Sequence, residues 1–159
     1  MIGILLPVLT FLAALGTGLI AGLLFAFSAF VMDALARLPP EQGIAAMQSI
    51  NVAVLNPLFG TVFFGTAVLC VVLAVAAFFR WGEAGAIYLF AGSLLYLVGT
   101  IVVTIALNVP LNNALAAVAP NSAEGAGLWT RYIVSWTAWN HVRTVAALTA
   151  LASFIMALR

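Results

Sequence analysis

The chain has 159 residues, of which 66% are hydrophobic and only 6% charged, with a formal net charge of +1. A soluble domain is about half apolar and a quarter charged, so this composition excludes an ordinary water-soluble fold and points to a membrane protein. There is no lysine, which rules out Schiff-base chemistry on one, and the single cysteine, Cys70, has no partner for a disulfide or a thiolate metal site.

Four apolar runs, 4–32, 57–79, 86–107 and 132–158, each exceed the roughly 20 residues a helix needs to cross hydrocarbon. The expected fold is all-α: one domain over 1–159, an integral membrane four-helix bundle with a short interfacial helix between spans one and two. The first run lacks a basic start and is too long for a signal peptide, so it is expected to remain in the mature protein. In it Gly16, Gly18 and Gly22 include small residues four apart, a spacing that serves close helix contact. Phe25, Phe27 and Phe30 are expected between helices or against lipid.

Pro39-Pro40 stops this first helix and opens an amphipathic one over about 41–55, with Ile44, Met47, Val54 and Leu55 opposite Glu41, Gln42 and Gln48. Asn56-Pro57 reads either as a cap followed by a first-turn proline or as a kink within one longer helix. Arg80-Trp-Gly-Glu83 is a minimal turn, which makes spans two and three antiparallel neighbours. Asn108-Val-Pro110-Leu-Asn112-Asn113 leaves span three, and a loop through Pro120 and Gly127 leads to the last span. Trp81 and Trp129 fall at the expected interfaces, where tryptophan belts anchor.

Four spans put both termini on one side. Parity then collects most unusual polar residues at the other end: Asp33, Asn51, Asn56, Asn108, Asn112 and the Arg131 to Arg143 segment. Lys and Arg counts near the spans barely decide orientation; both termini are assigned to the cytoplasm of a bacterial inner membrane.

The last span carries Trp136-Thr-Ala-Trp139-Asn140-His141-Val-Arg143. At about 100° per residue, Trp136, Asn140 and Arg143 share one face, while His141 points roughly 140° from Trp136. An arginine near mid-depth costs at least a few kcal/mol, so it marks a functional site by default. No acid lies inside another span, and Asp33 is the nearest counter-ion. Arg143 therefore either ties the last helix to the end of span three or meets an anionic or oxygen-rich ligand. His141 alone cannot build an ordinary metal site, so no metal ligands and no cofactor are assigned, although a haem or metal held through His141 stays open. No phosphate loop or basic patch supports nucleic-acid binding.

Met47-Gln-Ser-Ile-Asn51 with Asn56-Pro57-Leu-Phe59, then Asn108-Val-Pro-Leu-Asn112-Asn113, then Trp136-x-x-Trp139-Asn140-x-x-Arg143-Thr144 resemble the successive motifs of the anthrone oxygenase-like family of small membrane proteins. Asp33 departs from the pattern, where a proline is expected. The resemblance implies a cofactor-independent, membrane-embedded oxidoreductase that oxidises a lipophilic polycyclic aromatic or quinone-type compound with molecular oxygen. Such chemistry needs a flat apolar slot and donors for a developing oxyanion. On that reading Arg143, Asn140, His141 and Asn108 are the catalytic candidates, and Trp136, Trp139, Asn112, Asn51 and Asn56 bind substrate, with Asp33 as a fallback base. The expected partners are a small lipophilic aromatic substrate, membrane lipid and a second copy in a homodimer. Two alternatives stay open: a non-catalytic bundle that binds a lipid, quinone or partner protein, and a haem- or metal-binding membrane protein.

Overall fold

The computed structural model describes residues 2–159, with side chains from Leu5 onward. The described residues form five helices and no strand. Helix α1 runs from Ile2–Ala26 through a π-helical stretch, Phe27–Val31, into Met32–Ala36. Helix α2 spans Pro40–Ala53 and α3 spans Pro57–Phe79. Helix α4 is composite: Ala86–Leu94, π-helical Leu95–Val102 and Thr104–Asn108, then Val109–Ala116. Helix α5, the longest, spans Ala123–Ala157.

Among the described residues three helices are long and apolar enough to cross a membrane: Leu5–Ala36, Pro57–Phe79 and Ala86–Ala116. The expected count of four spans is met only to that extent. Helix α5 has 35 residues, but Glu124, Arg131 and the polar stretch around Asn140 dilute its apolar character.

Local chemistry sets most helix ends. Asn56 takes the extended conformation and its Oδ1 accepts the Phe59 N–H at 3.0 Å, with Pro57 in the first turn, so Asn56-Pro57 is a cap and not a kink. Ser122 does the same for α5, accepting the Gly125 N–H at 2.9 Å. That helix therefore starts well before the last apolar run, through a stretch that Gly125 and Gly127 make look like a loop. Helix α4 likewise continues past Asn108 and through Pro110. The π-helical turns just before the proline have already shifted the hydrogen-bond ladder, so its missing N–H breaks nothing further. Between α3 and α4, Gly85 has φ of 88°, a left-handed conformation glycine adopts without steric cost.

Helix α1 packs on α3 and α5, and α4 packs on the same two, so the four long helices form a square with α1 and α4 on a diagonal. Helix α2 lies against α5 and the last turns of α4. Two hydrophobic clusters result. One holds Ala13, Ala21, Cys70, Leu73, Ala147 and Phe154 among others, and the second is built on Met32, Ile44, Met47, Trp129, Tyr132 and Trp136. Trp129 belongs to the second and is only 3% exposed, so it is a core residue and not an interfacial anchor; Trp81 is exposed. Of Gly16, Gly18 and Gly22 only Gly16 is tightly opposed, since a Cβ there would lie 2.0 Å from Thr66 Oγ1. Gly18 makes ordinary contact and Gly22 faces open space, so that four-residue pair forms no close crossing.

Candidate functional site

A cavity of about 560 Å³ opens where α1, α2, the start of α3, the end of α4 and α5 converge. Its size falls in the range of small-molecule sites. Its walls are mostly apolar, with Ile20 and Phe27 from α1 and Phe59 and Phe63 from α3 among them. The polar groups are Gln48, Asn51, Thr104, Asn112, Asn113 and Arg143, and among the described residues Arg143 is the only ionisable one lining it. Phe27 and Trp136 meet there at 5.6 Å between ring centroids.

Arg143 is 6% exposed. Its Nη1 donates to Thr104 Oγ1 at 3.2 Å and its Nη2 to Asn140 Oδ1 at 2.7 Å. The guanidinium carbon sits 5.1 Å from the Trp136 ring centroid, over a face that attracts cations. Five N–H groups are available on a guanidinium, so this arrangement leaves several unused. Nε is buried with no partner. Among the described residues no carboxylate offsets the charge: Asp33, the expected counter-ion, accepts from Arg37 at 2.6 Å on the exposed end of α1.

A hydrogen-bond network aims this arginine. Asn140 Nδ2 donates to the Leu24 carbonyl and to Ser28 Oγ, both at 2.8 Å, which turns Asn140 Oδ1 toward Arg143. Thr144 Oγ1 donates to the Asn140 carbonyl at 2.8 Å. Its single hydrogen is thereby used, so the Ser28 hydroxyl donates across the 3.1 Å contact to Thr144. Ser28 and Thr104 both belong to π-helical stretches, which expose side chains at positions a regular helix would turn away. Thr104 in turn donates to the Thr100 carbonyl at 2.6 Å.

A second network lies beside Trp136. Asn112 Oδ1 accepts the Tyr132 hydroxyl and the Trp136 Nε1–H, both at 2.8 Å. Tyr132 stacks between Trp129 and Trp136, with centroids at 5.6 and 6.3 Å. Gln48 spends its amide hydrogens on the carbonyls of Leu115 and Val118, at 2.8 and 3.1 Å, and so ties α2 to the end of α4.

Of the residues singled out in the sequence, Arg143, Trp136, Asn112 and Asn51 line the cavity together. Asn140 is buried behind Arg143 and faces α1. Asn108 is buried too, with Nδ2 on the Trp136 carbonyl at 3.2 Å and Oδ1 unpartnered. Asn56 is an exposed cap. Trp139, 38% exposed, and His141 lie on the outer face of α5, away from the cavity. Among the described residues no three His, Cys, Asp or Glu side chains gather as a metal-ligand set.

Sequence reasoning missed Thr104, Ser28, Tyr132 and Phe27. A signal for the first was present: Thr100, Thr104, Asn108 and Asn112 recur every four residues along α4. The pairing of Asn140 with α1 had no such signal, because it depends on the π-helical stretch that brings Ser28 inward.

A family model described as anthrone oxygenase matches residues 57–153, more than half of the chain. No curated protein and no solved structure shows a significant match.

Proposed function

The chain belongs to the anthrone oxygenase family, and on that premise we propose that it is a membrane-embedded, oxygenase-like enzyme that oxidises a flat lipophilic aromatic ketone with molecular oxygen. In this reading α5 is a fourth crossing of a four-helix bundle, both termini face the cytoplasm, and the cavity opens at the other end. The observation that carries the proposal is the buried Arg143, with unused N–H groups and no carboxylate partner, on the wall of an otherwise apolar cavity.

The chemistry follows from that wall. An anthrone carries a carbonyl opposite an activated methylene. Loss of a methylene proton turns the carbonyl oxygen into an enolate, and Arg143 stabilises that negative charge in a site with little water. The enolate passes one electron to oxygen. The superoxide and carbon radical combine to a peroxide anion, which takes a proton back from water to become a hydroperoxide and then loses water to leave a second carbonyl. Anthrone and oxygen thus become quinone and water, with the substrate as reductant and no bound cofactor. No acid–base side chain lines the cavity, so the proton leaves to water entering at the polar rim, and Arg143 acts by raising the acidity of the methylene.

The test is turnover by the purified protein in lipid nanodiscs with an anthrone in air. Quinone should form above the spontaneous rate, and Arg143→Ala should lower the enzymatic part by about 100-fold or more, the scale of a lost oxyanion donor. No acceleration across several anthrones overturns the reading. A second reading, a non-catalytic bundle that binds a lipid or quinone, draws on the absence of a proton acceptor in the cavity wall. It would be favoured by a co-purifying aromatic or lipid that survives aerobic incubation unchanged.

A further inference from the structure

Among the amides around the cavity, Asn112 is held in a way the others are not. Asn140, Asn108 and Gln48 each spend an amide hydrogen on a protein carbonyl. Asn51 and Asn113 also line the cavity; Asn51 stands within hydrogen-bond reach of the Tyr132 hydroxyl, and Asn113 has no side-chain hydrogen bond among the described residues. Asn112 Oδ1 faces the indole nitrogen of Trp136 at 2.8 Å. That nitrogen can only donate, so the Asn112 atom it meets must be the oxygen, and the orientation of the amide is fixed by chemistry. The Tyr132 hydroxyl at 2.8 Å locks it a second time. The amide NH₂ therefore points away from both aromatics, has no protein partner among the described residues, and belongs to a side chain that lines the cavity.

Trp136 links this group to Arg143: Asn112 takes its N–H edge, and the guanidinium lies 5.1 Å from the centre of its ring. Arg143 and Asn112 are thus the two fixed groups of the wall that keep donor hydrogens unspent, with no charged acceptor between them among the described residues. We propose that Asn112 is a second oxygen-binding pole, and that the site is built for flat molecules with acceptor oxygens at two opposite positions, such as a para-quinone. This rests on the anthrone reading for its reaction. There, Arg143 holds the original carbonyl oxygen, and Asn112 donates to the oxygen newly bonded to the opposite carbon. When the hydroperoxide's O–O bond breaks, the proton on that carbon and hydroxide leave together as water, and the oxygen kept by Asn112 becomes the second carbonyl. Asn112 is then a catalytic residue, and Tyr132 a positioning residue that acts through it.

The experiment compares binding of anthraquinone and of anthrone, the latter without oxygen, to the protein in nanodiscs by quenching of tryptophan fluorescence. Asn112→Asp keeps an acceptor for Tyr132 and Trp136 but removes the NH₂; Asn112→Leu removes both. The two variants share only the lost donor, and anthrone affinity reports whether each still folds. Both should bind anthraquinone about tenfold less tightly relative to anthrone, the worth of one hydrogen bond. The infrared band of one quinone carbonyl should also move to higher frequency. Tyr132→Phe should lower the preference less, because Trp136 still holds the amide. An unchanged preference in both Asn112 variants overturns the proposal, as does a wild-type protein that does not bind anthraquinone. A wild type that binds the quinone, loses the preference in both variants, yet oxidises no anthrone in air would uphold the two-pole site and overturn the reaction.

Discussion

The two hydrophobic clusters share α1, α4 and α5 but hold them by opposite means, the first adding α3 and the second α2. In the first, alanines such as Ala13, Ala21, Ala77, Ala147 and Ala150 let backbones approach, and Gly99 lies so near α5 that an added Cβ would sit 2.4 Å from the Cβ of Ala146. In the second, Trp129, Tyr132 and Trp136 stack in a column, and the Gln48 amide bridges α2 to the end of α4. Between lipid-embedded helices close packing and hydrogen bonds drive association, so the first cluster fixes the distances. The cavity lies between the two clusters, lined by Ile20, Leu24 and Phe63 of the first and by Met47 and Trp136 of the second. Its cost is visible in Arg143 Nε and Asn108 Oδ1, both buried without partners.

The largest effect should come from breaking the close-packed cluster. Ala146 Cβ is fixed to its backbone and cannot rotate away, so Gly99→Ala forces α4 and α5 apart and should cost about 1–3 kcal/mol, the scale of overpacking. Gly99→Leu should abolish the folded state. Thermal unfolding of purified protein in detergent reads both. A Gly99→Ala protein as stable as the wild type would remove the claim that this cluster sets the helix spacing.

Arg143 should behave in the opposite sense. Replacing it with Met removes an unpaired buried charge and keeps most of the apolar volume, so stability should be unchanged or raised even as oxidation is lost. A large fall in the unfolding midpoint would show that the arginine is chiefly a structural tie between α5 and Thr104. Smaller again is Ser28→Ala, which removes one acceptor of Asn140 and the donor to Thr144. Interhelical hydrogen bonds in a membrane average about 0.6 kcal/mol, and the stability loss should be of that order. Because Asn140 loses one of its two anchors, Arg143 should be less well aimed, and the rate should fall severalfold with little change in substrate affinity.

These contrasts also mark what the chain of residues discloses. The Asn56-Pro57 start of α3 was legible because capping is local: one side-chain oxygen, one N–H, three residues. The shared face of Trp136, Asn140 and Arg143 was legible from helical angle alone, and so was the outward turn of His141. The four apolar runs set the expectation of four spans by length, yet α5 falls short of the apolarity of the other three because Glu124, Arg131 and the polar residues around Asn140 interrupt it. The π-helical stretches were not legible, since a wide turn is imposed by the neighbours that accept the displaced groups. With them went Ser28, Thr104 and the continuation of α4 through Pro110. Trp129 was read as an anchor from its place in the sequence; its burial depends on Gly43, whose Cβ would lie 2.8 Å from the Trp129 ring.

The smallest effect separates the two kinds of arginine in this protein. Arg80, in the turn between α3 and α4, donates to Glu83 through Nε at 2.8 Å and again through Nη2. The hydrogen bond from Arg80 holds the Glu83 carboxyl below its usual range, and the same bond holds the guanidinium above its own. A carboxyl whose folded value is depressed adds stability that is fully present above its unfolded value, about 4.3, and is lost as pH falls through the folded one. Both groups are exposed, so the contribution is small and screened by salt. Glu83→Gln should therefore unfold slightly earlier than the wild type at neutral pH and low salt, and the gap between their midpoints should close on acidification to about pH 3. Arg143→Met should show no such convergence, because no carboxylate partners that arginine. A gap between Arg143→Met and wild type that closes over the same acid range would mean that a carboxylate does offset the buried charge, and the anionic-ligand reading of the cavity would lose its basis.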